Sequence, residues 1–188
     1  MRIYDTERLT LRQIDESFAN ETLTYYQKNK DFLQEWEAQR SPDFYTLEGQ
    51  KKILVKDTEL YNKGEAFKLW LFKKEGQNSL NILGCISFSL IIRGILQSCV
   101  LGYKLDRDEL NKGFVTEALR KGIEIMFQDF GLNRIDSPIM PKNKASVQVV
   151  KKLGFEYEGL SRKMIKVNGV WEDHMRWTKL NENSNNSL

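Results

Sequence analysis

The residues that promise chemistry most clearly are Leu110-Asn-Lys-Gly-Phe-Val-Thr-Glu117, a polar turn with one glycine that opens onto an apolar-periodic run. Before it, Cys99 to Leu105 reads as a strand. After it, Phe114 to about Phe130 has the period of a long amphipathic helix. A strand that stops just before a helix leaves the free N–H groups of the first helical turn pointing beyond the strand end. Those donors, with the positive end of the helix dipole, suit a phosphate or pyrophosphate. The donors are backbone groups, so any residue other than proline supplies them. Several charge-assisted bonds at roughly 1.5–3 kcal/mol each would make this loop the main anchor of an anionic ligand. Thr116 adds a hydroxyl in the first turn, and Lys112 either contacts phosphate or is solvated. A dinucleotide fingerprint is excluded because the further glycines are missing, and a nucleotide P-loop because no Gly-Lys-Ser/Thr occurs.

Other reactive side chains are few. Cys85 and Cys99 each sit in an apolar, strand-like run, where two reduced, buried thiols are expected in preference to a disulfide or a metal site. With one histidine, His174, a His/Cys metal centre has almost no material, and no metal is expected. His174 lies in a predicted strand, where a structural role is the simpler reading than a catalytic one. The net charge of +3 is too mild, and too little clustered, to argue for nucleic acid. No run approaches the roughly 18 apolar residues that span a membrane. The N-terminus lacks a signal-like apolar core, so a cytoplasmic protein is expected.

The elements that must position the loop are legible in order. Glu7 to Ile14 alternates as a half-buried strand, and Asp15 caps a helix over 16–27. A second helical piece, 30–38, carries Phe32, Leu33 and Trp36, which either pack the core or line a groove. Thr46 caps a third helix that runs to Lys63-Gly64. Residues 66–73 form a strand with Phe67, Leu69 and Leu71 on one side and Trp70 and Phe72 on the other. Glu75-Gly-Gln-Asn-Ser79 is a turn, and 81–92 is a central strand that Arg93-Gly94 turns back towards Cys99. After the long helix come a strand (134–140) and a short helix (144–153) closed by Gly154-Phe155. A final hairpin, 161–167 and 170–180, turns on Asn168-Gly169. Three strands joined by short turns give an antiparallel meander, and the helical connections that follow make the sheet mixed. The expectation is an α+β, three-layer α/β/α fold with about seven strands and four or five helices. It forms one domain over residues 1–180, with a disordered asparagine- and serine-rich tail at 181–188.

Leu110-Asn-Lys-Gly-Phe-Val-Thr-Glu-Ala-Leu119, Asn143-Lys-Ala-Ser146 and Lys152-Leu-Gly-Phe155 together resemble the GNAT superfamily of acetyl-CoA-dependent N-acetyltransferases, and more narrowly its RimJ/RimL branch. The resemblance extends along nearly the whole chain. In that branch the pyrophosphate loop reads Trp-Gly-x-Gly-Tyr-Ala-Thr-Glu. Here Gly113 and the Thr116-Glu117 pair match, while Asn111 and Val115 depart from it. Asparagine tolerates the positive φ that glycine often supplies, whereas Val115 adds bulk where the family keeps a small residue.

The resemblance implies acetyl-CoA as co-substrate, with Asn111, Lys112, Gly113, Phe114, Val115 and Thr116 in its pyrophosphate loop. Tyr103 and Leu105 on the preceding strand, and Asn143 and Ser146 beside the pantetheine arm, complete the cofactor set. A backbone N–H between Gly102 and Leu105 would meet the developing oxyanion, where that strand splays from its neighbour. The tyrosine that many family members use to protonate the leaving thiolate is replaced here by Val150, which leaves Ser146 as the expected donor. An α-amino group, with a pKa of about 8, must shed a proton before attack. Glu158 is the expected base, ahead of Glu109 and Glu117, because the branch pattern also has a glutamate before that glycine. Trp171 and Asp173 remain open as acceptor-wall residues. The implied acceptor is a protein or peptide N-terminus, a ribosomal protein among the possibilities, for a chain acting as a monomer or homodimer. A small cationic amine such as a polyamine or aminoglycoside is the alternative. A catalytically degenerate acyl-CoA-binding protein is a further one.

Overall fold

A computed structural model of the chain describes residues 1–74 and 81–182. The turn expected at Glu75–Ser79 and residues 183–188 of the expected tail lie outside the described residues. The strands are β1 (Ile3–Asp5), β2 (Leu9–Arg12), β3 (Phe67–Lys73), β4 (Ile82–Ile92), β5 (Ser98–Leu105), β6 (Arg134–Ile139), β7 (Glu156–Val167) and β8 (Val170–Leu180). The helices are α1 (Ala19–Lys28), α2 (Lys30–Gln34), α3 (Leu47–Asn62), α4 (Phe114–Gln128) and α5 (Lys144–Lys152).

The described strands form one sheet in the order β1-β2-β3-β4-β5-β6-β8-β7, and only β5 and β6 run parallel. Two apolar clusters flank it. Phe67, Leu69 and Leu71 face the cluster that also contains Ala118, Leu119 and Met126 of α4 and Val147 and Val150 of α5. Trp70 and Phe72 alternate to the other face and pack with Tyr25 and Tyr26 of α1 and Leu54 of α3. The strand's period of two is thus used on both faces, which makes the predicted three layers. Cys99 belongs to the first cluster and Cys85 to the second; both are buried and free. No helix among the described residues is long and apolar enough to cross a membrane.

Four local differences from the sequence expectation have physical causes. The eighth strand is β1, three mostly exposed residues with no alternation to read, defined only by pairing with β2. Asp15 does cap, accepting from the Ser17 N–H, but its first turn is a 3-10 turn and α1 starts at Ala19. β7 begins at Glu156, five residues early, through an exposed stretch whose register shifts twice, near Gly159 and between Ser161 and Ile165. α2 stops at Gln34 rather than Ala38, and the residues after it turn so that Glu37 meets Lys104 on β5. The other signals are observed as read. Thr46 accepts from the Gly49 N–H, and Asn168 and Gly169 hold φ of 47° and 83° in the last hairpin.

Candidate active site

The site is built where β5 and β6 part. Their parallel ladder pairs Ser98 with Arg134, Cys99 with Ile135 and Val100 with Asp136, and ends there. β5 continues to Leu105 bonded to β4 alone, and β6 to Ile139 bonded to β8 alone. The wedge between them exposes backbone groups of the stretch Leu101–Leu105, including the Gly102–Leu105 segment expected to meet an oxyanion.

At the wide end of the wedge the chain passes through the glycine loop into α4. Asn111 and Gly113 both adopt the left-handed conformation, with φ of 60° and 81°. Asn111 therefore takes up the geometry of the glycine it replaces. Val115 packs against the main core, so its extra bulk is absorbed inside the protein. The N–H groups of Asn111 through Thr116 donate no hydrogen bond among the described residues, which leaves a row of donors at the α4 N-terminus. Lys112 pairs with Glu109, which Lys73 also holds, so both charges are satisfied within the protein.

Glu117 has a different task. It accepts the Thr6 hydroxyl (2.6 Å), the Arg8 N–H (2.8 Å) and the Arg8 guanidinium (2.7 Å), tying the β1–β2 turn to the start of α4. The Arg8 guanidinium also lies over the Phe114 ring, 4.7 Å from its centroid. Burial would raise the Glu117 carboxyl, but these bonds hold it below the ordinary glutamate value. It is a clamp, 109 residues from its partner in sequence.

On the opposite side of the wedge, Asn143 caps α5 by accepting the Ser146 N–H at 3.0 Å. The Tyr103 hydroxyl donates to the Ser146 carbonyl at 3.0 Å, tying α5 to β5 inside the splayed stretch. Burial pushes that hydroxyl up to about 12, so Tyr103 stays protonated at neutral pH. The Ser146 hydroxyl has no partner among the described residues and is half-buried in the first turn of α5. Val150 is fully buried in the core.

Glu158 sits in an ion pair of its own. Its carboxylate receives two bonds from the Arg134 guanidinium, at 3.0 and 2.5 Å, which hold it below the ordinary glutamate value. The same guanidinium bonds Asp136, at 2.7 Å, and the Thr178 hydroxyl, at 2.8 Å, beside the last rung of the β5–β6 ladder. Both carboxylate oxygens of Glu158 are thus engaged in a pair that a general base would have to leave. Glu158→Gln should change kcat by less than about threefold, against the hundredfold or more that loss of a general base brings; steady-state rates across pH 6–9 check this.

A carboxylate that the sequence did not single out, Glu37, bonds to the splayed stretch. Lys104, on the splayed stretch of β5, donates to Glu37 Oε1, and Arg40 donates to Oε2 at 2.8 Å. Burial alone would raise this carboxyl; the two cations outweigh it and hold the group below its ordinary value. A second clamp lies beside it. Asp106 accepts from Lys28 (2.7 and 2.9 Å) and from Asn29 (3.2 Å), while Asn29 Oδ1 accepts the Arg107 N–H (3.0 Å). The α1–α2 wall is thus fixed to the end of β5 at two points. From the far side the last hairpin closes in, with Asn168 donating to the Gln34 carbonyl at 2.5 Å. His174 is buried, its Nδ1 3.0 Å from the Glu172 carbonyl oxygen, and Asp173 accepts the Lys163 N–H in the β7 irregularity. Both have structural work in the hairpin. Trp171 is exposed.

The acetyltransferase (GNAT) domain matches residues 8–156 of this chain. The chain belongs to the GNAT acetyltransferase family. It is an acetyl-CoA-dependent N-acetyltransferase of the RimJ/RimL type. Over 171 residues it is 37% identical to the Probable N-acetyltransferase YjcK of Bacillus subtilis (strain 168), covering 91% of this chain and 93% of that protein. Over 170 residues it is 32% identical to the [ribosomal protein uS5]-alanine N-acetyltransferase of Escherichia coli (strain K12), covering 90% and 86%. The crystal structure of ribosomal-protein-S5-alanine acetyltransferase from Vibrio fischeri superposes with a TM-score of 0.90 at 34% identity, covering 97% of this chain and 98% of that one. Within this GNAT chain, the free donors at Asn111–Thr116 and the open wedge fit a co-substrate with a pyrophosphate and a long, narrow arm.

Proposed function

We propose that this enzyme acetylates the N-terminal α-amino group of a protein, a ribosomal protein of the uS5 type being the acceptor its relatives suggest. The acceptor side of the wedge carries this reading. Glu37, bonded to Lys104 of the splayed stretch, lines a cleft of about 230 Å³ with Tyr26, Phe44 and Tyr45 in its wall, and it is the one carboxylate among the described lining residues. That carboxylate already answers two cations, Lys104 and Arg40. A polyamine or aminoglycoside needs several unpaired anions to hold its charges, and this cleft offers none. A peptide end, with a single amine and a mixed side-chain surface, suits it better.

In this reading acetyl-CoA supplies the activated acetyl group. The N–H groups of Asn111 to Thr116 bind its pyrophosphate, a backbone N–H of the splayed β5 stretch stabilises the oxyanion, and the Ser146 hydroxyl gives a proton to the departing thiolate. Calorimetric titration with acetyl-CoA, followed by an assay on peptides with free N-termini beside spermidine and an aminoglycoside, tests it. Micromolar cofactor affinity and turnover of peptides alone is the expected result. Faster turnover of spermidine would overturn the acceptor class. Cofactor binding with no acetylation of any amine would mark a degenerate protein.

A further inference from the structure

We infer that the cleft beside Glu37 is a specificity subsite for an acidic side chain close to the acceptor's N-terminus; this rests on the proposed peptide acceptor. The argument starts from charge. Two cations line the cleft, Lys30 and Arg40, against the single carboxylate of Glu37. Behind that carboxylate stands Lys104, so the local balance is positive even with every ion pair made. Lys30 is the part of the surplus that answers no described carboxylate. Its ammonium lies 4.8 Å from the Tyr45 ring centroid and forms no ion pair among the described residues.

The surplus sits in a concave, partly apolar setting. Arg40 lies over Phe44, 4.7 Å from the ring centroid, while Phe44 and Tyr26 pack edge to face at 4.7 Å. Rings below a cation fix its position and lower the local dielectric, so an incoming carboxylate gains more there than on an open surface. Asp31, the acid nearest in sequence to Lys30, does not line the cleft. The location is suitable too. Glu37 bonds to Lys104 on the splayed part of β5, so a peptide whose amine enters the wedge lays its next residues along this wall. The Asn168–Gln34 contact bounds the same space from the hairpin side. An extended chain advances about 3.3 Å per residue, which brings the second to fourth side chains of the acceptor into range.

The test uses the whole enzyme and synthetic decapeptides that begin with alanine and differ only in carrying Glu, Gln or Lys at position two, three or four. At one of these positions the wild-type enzyme should show kcat/KM for the Glu peptide about three- to tenfold above that for the Lys peptide, with Gln between them. Lys30→Glu, at an exposed side chain with no ion pair to lose, should keep the wild-type melting temperature and acetyl-CoA affinity and reverse the order. Raising salt from 50 to 500 mM should shrink the wild-type preference. Equal turnover of Glu and Lys peptides by the wild type, or an unchanged order in Lys30→Glu, would overturn the subsite and leave the N-terminal acceptor standing. Absence of turnover with every peptide, by a protein that binds acetyl-CoA, would overturn the proposed function and the subsite with it.

Discussion

Ser146→Ala should lower kcat for acetyl transfer by about a hundredfold, within the range that loss of a positioned proton donor produces, while acetyl-CoA affinity changes by less than about twofold. The two readouts separate because the residue's other duties are carried by its backbone. Its N–H donates to Asn143 Oδ1 and its carbonyl accepts the Tyr103 hydroxyl, and neither bond involves the Ser146 side chain. The hydroxyl itself is unpartnered among the described residues, so removing it leaves no orphaned group behind. Alanine is also a better helix former than serine, and α5 should be as stable as before. Steady-state kinetics on a peptide acceptor, with calorimetry on acetyl-CoA, give both numbers. An unchanged kcat would mean that water delivers the proton to the thiolate. A loss of affinity together with rate would mean that the hydroxyl holds the cofactor arm instead.

What the sequence disclosed about this site followed the distance, along the chain, between the groups that make it. The glycine loop is local: strand, turn and helix occupy one stretch, so period and turn chemistry expose it without any tertiary knowledge. The Thr46 cap and the Asn168-Gly169 hairpin were readable for the same reason. Lys104 and Glu37 are 67 residues apart, and Asp106 and Lys28 are 78 apart. Each of these residues, seen alone, looks like one more solvated charge among the many on the chain. Only the sheet order, which brings β5 against the α1–α2 wall, turns them into clamps. Glu158 shows the same limit: a motif placed it next to a matching glycine, but only the pairing of β6 with β8 and of β8 with β7 brings it to Arg134, 24 residues away.

The same blindness hid Gly84, where a single methyl group would strike the backbone of the wedge itself. Gly84→Ala should destabilise the protein by about 2–3 kcal/mol, as overpacking of a close contact does, and lower the melting temperature by about 4–12 °C for a domain of this size. A Cβ built at Gly84 would lie 2.2 Å from the Lys104 carbonyl oxygen and 2.9 Å from the Leu105 Cα. Both obstacles are backbone, so no side-chain rotation relieves them. Relief requires moving the end of β5 away from β4, which is held through the Gly84–Leu105 pair. That end carries the wedge, the Lys104–Glu37 contact and the Asp106 clamp, so acetyl transfer should fall further than the loss of folded protein explains. Gly102→Ala is the matched control. Its Cβ would meet only the Ser87 hydroxyl, at 3.1 Å, and that group can rotate. Melting curves and kcat measured well below the transition, for both variants, check the claim. Equal behaviour of the two would show that β5 yields to the methyl group, and that the position of its end is not what the reaction depends on.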